Sequence, residues 1–182
     1  TCRISNRSPV TLLRSAKLKL LHDPIHGVAA SIPSRVLGIP VDTIRADINP
    51  SFGGVNPEPI PENLEASRDA VRAGSYDLAI CNDGDADRLG ILDEHGEFVS
   101  PHKIISLLVL YLVREKKRAG EIVKTFSTTR LIEKVAQSLG ATLHETRIGF
   151  KYVADLMLAR EVLVGGEESG GIAFGAFMAR TG

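Results

Sequence analysis

The chain has 182 residues, with 22 basic and 22 acidic side chains and a formal net charge of zero at pH 7. That balance offers no attraction to a nucleic-acid backbone, and 43% hydrophobic against 24% charged residues excludes a disordered or low-complexity protein. The length allows one large domain or two small ones.

Residues 1–16 carry little pattern and are expected to be loop or frayed helix. Lys17 to His22 alternates leucine and lysine and predicts a strand, ended by Asp23-Pro24. A helical stretch is expected from His26-Gly27 to Leu37, restarted at Pro33 and closed by Gly38, followed by a strand from Val41 to Ala46. Asp47 to Pro61 reads as a long loop, with Pro50, Pro57, Pro59 and Pro61 along it and Gly53-Gly54 at its middle. Pro61 suits the first position of a helix that ends before Gly74. Apolar Tyr76 to Ile80 and Leu89 to Leu92 then predict two strands around Cys81-Asn82-Asp83-Gly84-Asp85-Ala86-Asp87-Arg88. Asp93-Glu94-His95-Gly96 makes a hairpin turn into Phe98-Val99.

Ser100-Pro101 starts a helix whose expected buried stripe is Ile104, Leu107, Leu108, Tyr111 and Leu112, stopped by Gly120. Ile122 to Phe126 is a strand. Leu131, Ile132, Val135, Ala136 and Leu139 mark a helix capped by Thr128 or Thr129 and stopped by Gly140. After a strand from Thr142 to Thr146, a third helix shows Phe150, Val153, Ala154, Met157 and Leu158. Val162 to Val164 enters the loop Gly165-Gly166-Glu167-Glu168-Ser169-Gly170-Gly171, and Ile172 to Phe174 leaves it. This alternation predicts an α/β fold of two consecutive α/β/α domains, residues 1–99 and 100–182, each a small, mixed, mostly parallel sheet flanked by helices.

The longest apolar run, Ile104 to Val113, is too short to span a bilayer, so no membrane association is expected. Cys2 and Cys81 form no disulfide framework, which points to reduced thiols and a cytoplasmic location. A start at Thr1 and an end just after an apolar segment lead to the expectation that the chain is a piece of a longer protein.

Asp83, Asp85 and Asp87 stand at alternate positions with small residues between them. Three like charges that close repel, and a hard divalent cation, Mg²⁺ or Ca²⁺, is the natural compensation. An EF-hand reading fails, because Arg88 occupies the position that must be glycine and the flanks are strands. An aspartate phosphatase loop, with Asp83 as nucleophile, and a merely solvated acidic turn remain as alternatives. In the second loop, Glu167 beside Ser169 suits hydrogen bonding to neighbouring sugar hydroxyls, the alternative being a simple glycine-rich turn. Gly149 opens a helix whose amides, with Lys151 and Arg147 nearby, could receive a phosphate, the alternative being a solvated lysine and arginine around a helix cap.

Together these residues resemble the α-D-phosphohexomutase family, the phosphoglucomutases and phosphomannomutases. Asp83-Gly84-Asp85-Ala86-Asp87-Arg88 matches the family's metal loop, and Gly166-Glu167-Glu168-Ser169-Gly170-Gly171 its sugar-recognition loop. Asp23-Pro24-Ile25-His26-Gly27, Phe52-Gly53-Gly54, Asn56-Pro57-Glu58-Pro59 and Ile148-Gly149-Phe150-Lys151 follow in family order. The resemblance covers roughly residues 17 to 175 and the second and third of four family domains. It implies that Asp83, Asp85 and Asp87 hold Mg²⁺, that Arg88 contacts the active-site phosphate region, and that Glu167 and Ser169 bind two sugar hydroxyls. Gly149, Phe150 and Lys151 would shape the third-domain wall of the cleft.

The implied activity interconverts hexose 1-phosphate and 6-phosphate through a phosphoserine and a bisphosphorylated sugar, with a lean towards glucose or mannose substrates. The implied partners are hexose phosphates and the N- and C-terminal domains of the same chain. No family-type phosphoserine segment occurs in these residues, so the chain alone is expected to be inactive. A non-catalytic sugar-phosphate binding module is the remaining alternative. Ala29, Val55 and Arg180-Thr181-Gly182 depart from the family pattern.

Overall fold

Residues 9–175 are described by a computed structural model, in which the chain divides between Val99 and Ser100 into two units. Two sequence expectations, the loop or frayed start over residues 1–8 and the departure at Arg180-Thr181-Gly182, lie outside the described residues.

The first unit runs α1 (Pro9–Ala16), β1 (Leu20–Asp23), α2 (Ile32–Leu37), β2 (Asp42–Thr43), α3 (Glu65–Gly74), β3 (Leu78–Asn82), β4 (Leu89–Asp93) and β5 (Phe98–Val99). The sheet order is β2-β1-β3-β4-β5, with β1 parallel to β2 and β3, and β4 antiparallel to β3 and β5. This sheet is therefore evenly mixed rather than mostly parallel. The acidic loop between β3 and β4 is too short for a parallel crossover, so β4 must return antiparallel.

Left-handed backbone explains where the expected elements were too long. Lys17 has φ +53°, and β1 starts after it; Arg45 has φ +47° and ends the region of β2 early. Ile25 and His26, at φ +46° and +58°, hold residues 25–31 in turns, so α2 begins only at Ile32, with Pro33 in its first turn and Gly38 at φ +61° closing it. Pro61 opens a short 3₁₀ turn, Pro61–Asn63, and α3 follows from Glu65 to Gly74, where Ser75 at φ +52° ends it. Leu20 to Asp23 are all buried, so the leucine–lysine alternation ahead of them misjudged β1, which is covered on both faces. Leu21, Ile25, Leu64, Val71, Ala79, Cys81 and Leu92 form the core. Each large apolar side chain there contributes about 1.5–3 kcal/mol by its burial.

The second unit runs α4 (Pro101–Leu110), continued by a wider π turn over Tyr111–Glu115, then β6 (Glu121–Thr125), α5 (Arg130–Leu139), β7 (Leu143–Thr146), α6 (Phe150–Ala159), β8 (Val162–Gly166) and β9 (Ile172–Phe174). The sheet order is β7-β6-β8-β9, parallel except for the β8–β9 pair. Residues of α4 and α5 pack with Ile122, Leu163 and Val164 in one cluster; Val153 and Met157 of α6 pack with Val123 and Val162 in another.

The Thr129 hydroxyl caps α5 by accepting from Leu131 N at 3.1 Å, and Gly140 at φ +64° ends it. On α4 the buried positions are Pro101, Ile105, Ser106 and Val109, of which Ile105 and Val109 lie one residue on from the expected stripe, and Leu107 is 60% exposed. A helix this uniformly apolar does not announce its inner face; the sheet chooses it. Leu131 and Leu158 are likewise exposed. Within the β6 strand, Lys124 is buried and pairs with Glu133 at 3.0 Å and Glu145 at 2.9 Å. Burial works against its charge, but the two carboxylates win and raise the lysine above its usual range. No helix among the described residues is long and apolar enough to cross a membrane.

Candidate functional site

In the first unit the acidic loop sits at the carboxyl end of β3, beside the carboxyl end of its parallel neighbour β1, where open α/β sheets receive ligands. A turn closes it, with Ala86 N donating to Asp83 O at 3.2 Å and Ala86 at φ +68°. One carboxylate oxygen each from Asp83, Asp85 and Asp87 lies within 4.8 Å of the others. Mg²⁺ binds oxygen at about 2.0–2.1 Å and Ca²⁺ at about 2.3–2.6 Å, so this donor set fits a hard divalent cation with little movement. Asp83 is buried, whereas Asp85 and Asp87 are exposed.

Arg88 supplies the local counter-charge. Its backbone N donates to Asp83 Oδ1 at 3.0 Å and its Nε to Asp83 Oδ2 at 2.7 Å, while Nη1 donates to Glu58 Oε1 at 2.7 Å. Burial pulls the Asp83 carboxyl upward, but the Arg88 N–H groups outweigh it and leave it below the usual carboxylate range. Asp87 is shifted the other way, chiefly by its contact with the Asp83 carboxyl and by the surrounding negative charge. The Arg88 guanidinium is held above its ordinary value, foremost by Asp83.

The flanking motifs are the bed of this loop. Val28 N donates to Gly84 O at 3.1 Å, and Gly84 N donates to Pro57 O at 3.2 Å. A Cβ on Gly27 would stand 2.6 Å from Gly84 O, and one on Gly84 would stand 2.9 Å from the Phe52 ring, so both positions need glycine. The turn carrying Gly27 is fixed by Asp23, a fully buried carboxylate. It accepts from Ile25 N at 2.9 Å, from Arg45 Nε and Nη2 at 2.9 and 2.5 Å, and from the Ser67 hydroxyl. His26 is a packing residue, its Nδ1 3.0 Å from Asp47 O and its ring against Gly53. His22, buried and kept below its usual pKa by that burial, meets Asn82 Oδ1 at 3.2 Å, and Asn82 Nδ2 donates to Arg88 O at 3.0 Å.

In the second unit the loop after β8 is also at the carboxyl edge of parallel strands. Ser169 Oγ donates to Glu167 Oε1 at 2.6 Å, and the loop closes through Glu167 N to Gly171 O at 3.0 Å. Glu167 and Ser169 are thus brought together. Glu168 turns the other way: its Oε2 accepts from Thr125 Oγ1 at 2.8 Å and Ser127 Oγ at 2.5 Å. Burial opposes its ionisation, but the Ser127 and Thr125 hydroxyls hold it below the usual range.

The glycine pair Gly165-Gly166 belongs to β8 and leaves room for packed helices. A Cβ on Gly165 would lie 2.5 Å from Val153 Cγ1, and one on Gly166 2.6 Å from Ile105 Cδ1. Gly149, at φ +120°, precedes α6, and Phe150 packs beside Gly171, which joins the start of α6 to the loop. Lys151 is exposed, with its Nζ 5.8 Å from the Tyr152 ring centroid, and Arg147 flanks the same ring at 5.3 Å.

Arg45, Ser67 and the pairing of Glu168 with Thr125 and Ser127 had no signal in the sequence, and Asp23 stood there only as a motif letter. Glu58 was visible only as a motif letter, and Arg45 had no local signal because its partners are remote in sequence.

Two α/β/α units, each carrying a polar loop at the carboxyl ends of its strands, define the class, an α/β protein of two consecutive units. Residues 3–96 match the model of the phosphoglucomutase/phosphomannomutase α/β/α domain II, and residues 100–182 that of domain III. The chain therefore belongs to the phosphoglucomutase/phosphomannomutase family. It is 33% identical over 178 residues to a phosphoglucomutase/phosphomannomutase of Thermococcus kodakarensis, covering 96% of this chain and 39% of that protein. A protein of Methanosarcina barkeri, provisionally named phosphoglucosamine mutase, is 35% identical over 87% of this chain and 36% of its own length. A crystal structure from Thermus thermophilus, of a protein provisionally described as a phosphomannomutase, matches with TM-score 0.85 and 35% identity over 92% of this chain and 39% of that one. The chain thus spans under two fifths of the length of these relatives.

Proposed function

We propose that this chain supplies the metal-holding and sugar-recognising domains of a phosphohexomutase that interconverts hexose 1-phosphate and 6-phosphate through a phosphoserine and a bisphosphorylated sugar. The observation that carries the reading is the convergence of the Asp83, Asp85 and Asp87 carboxylates next to a restrained Arg88, in a chain whose two halves match adjacent domains of that family.

Asp83, Asp85 and Asp87 would hold Mg²⁺, which when bound neutralises charge on a transferring phosphoryl group. Arg88 faces the phosphate, as a planar donor suited to its oxygens. Glu167 and Ser169, already paired with each other, exchange that bond for two neighbouring sugar hydroxyls. Gly149, Phe150 and Lys151 form the adjoining wall, where the first amides of α6 and the Lys151 ammonium favour an anion. A loop that reads hydroxyls rather than one ring end suits a sugar that must bind in two orientations. The names of relatives include phosphoglucomutase/phosphomannomutase and phosphoglucosamine mutase, so the substrate class is hexose phosphate, without a choice between glucose, mannose and glucosamine. The phosphoserine comes from domains beyond the span matched here, which leaves the chain alone inactive and makes those domains its partners, in the cytoplasm.

Asp83 is poorly placed to be an aspartyl nucleophile: it is 1% exposed and both its oxygens accept from Arg88. Calorimetric titration with Mg²⁺ tests the assignment. Wild-type chain is expected to bind and Asp85→Ala to lose binding with its fold intact; equal affinities would remove the metal site.

A further inference from the structure

Asn56-Pro57-Glu58-Pro59 has no role in the function above, yet its carboxylate reaches the Arg88 guanidinium. We propose that Glu58 is a positioning residue for Arg88, orienting the guanidinium so that its Nη2 amino group is left to a phosphate oxygen. The proposal rests on the reading that Arg88 serves a phosphate.

The guanidinium is a planar fork with five donors. Asp83 takes the Nε edge at 2.7 Å and Glu58 takes Nη1 at 2.7 Å, which fixes the plane from two sides. Among the described residues, Nη2 donates to nothing. Among the described residues, the carboxylates that pair with Arg88 besides Glu58 are those of the acidic loop itself, Asp83 and, 3.9 Å from Nε, Asp87. Without Glu58 the guanidinium would settle onto groups that a cation needs. With Glu58 present, it is drawn towards the opposite side and Asp83 keeps its remaining lone pairs.

The backbone around Glu58 is built for placement. Prolines on both sides restrict φ there. Glu58 N donates to Asn56 O at 2.8 Å, and Glu58 O accepts from Ile60 N at 2.8 Å and from Asn63 Nδ2 at 2.9 Å. The same segment grips both limbs of the acidic hairpin: Pro57 O receives Gly84 N at 3.2 Å, and a Cβ on Gly90 would stand 2.7 Å from Pro59 O. Arg88 and Glu58 are each 32% exposed. An ion pair that open to solvent adds little to stability, so stability alone does not account for so constrained a carboxylate.

The test uses the whole 182-residue chain and reads the Arg88 side-chain nitrogen signals by NMR, first without ligand and then during titration with inorganic phosphate in the presence of Mg²⁺. In wild type, rotation of the Nη groups is slow. In Glu58→Ala it becomes fast while the Nε–H, still held by Asp83, keeps its protection, and the phosphate affinity read at Arg88 falls roughly tenfold, about 1.4 kcal/mol. Glu58→Gln, which retains an acceptor, restores slow rotation in part and covers the case in which the alanine variant does not fold. Unchanged Nη rotation and unchanged phosphate affinity in both variants would overturn the proposal. Wild-type chain that takes up neither Mg²⁺ nor phosphate would instead sink the functional reading, and the ligand-free rotation measurement would still decide the Glu58–Arg88 link.

Discussion

Loop 83–88 and loop 167–171 occupy one position in two copies of the same topology. Each unit has a central strand, β1 or β6, with parallel neighbours on both sides; the last of these, β3 or β8, turns through the loop into an antiparallel strand. What differs is the source of restraint. Loop 83–88 adds to its own Ala86–Asp83 and Arg88–Asp83 bonds a set of restraints from outside, by Gly27, Val28, Phe52, Pro57 and Glu58, all distant in sequence. Loop 167–171 is held mostly from within, by Ser169 to Glu167 and Glu167 to Gly171, with Glu168 latching it to Thr125 and Ser127 and Gly171 packed against Phe150. Three neighbouring carboxylates repel and spring open unless a scaffold opposes them. A loop of hydrogen-bonding groups satisfies itself.

Substitutions should expose that asymmetry. The largest effect is expected from Asp23→Ala, which leaves Arg45, 14% exposed, without its buried partner; breaking such a pair costs about 3–5 kcal/mol. Urea unfolding should show the first unit destabilised by that order and Mg²⁺ binding lost, with the second unit's NMR spectrum unchanged. Gly27→Ala comes next. Its methyl meets backbone rather than a yielding side chain, so about 1–3 kcal/mol and most of the Mg²⁺ affinity should go; calorimetry showing wild-type affinity would mean the bed does not shape the loop. Glu168→Ala should cost about 1–2 kcal/mol, seen as faster hydrogen exchange confined to residues 166–171, because only one tether is cut.

The smallest effect is a titration. Glu168 is lowered from 4.5, so its stabilisation is complete above that value and is lost as pH falls through the lower folded-state value. Asp87 is raised from 3.8, so as pH falls it takes up its proton above that value and relieves repulsion in its loop. NMR midpoints for Glu168 at or above 4.5, or for Asp87 at or below 3.8, would erase the contrast.

Both loops were legible in the sequence because each is a dense local pattern, and so were the strands around them and the seam at Val99. What could not be read was anything set by remote partners. The buried face of α4 depends on the sheet beneath it; Asp23 looked like a turn residue before Pro24 and proved to be the buried anchor for Arg45 and Ser67. The packing role of Gly165 and Gly166 was equally hidden. They make room for α4 and α6, and that close approach is a property of packed helices, invisible along the chain.

Cys81 lies in the first unit's core, fully buried, its Sγ 3.8 Å from the Ser67 hydroxyl that also bonds Asp23, and burial pushes its thiol up to about 12. A thiol at that value is inert in the folded state and ordinary once the core opens. In a chain where Cys2 is replaced by serine, Cys81 becomes a chemical clock, its labelling rate counting how often this unit opens. Any ligand that grips the acidic loop slows the clock by the factor 1 + [L]/Kd, so the loop's affinity can be weighed by a sulfur atom that never touches it.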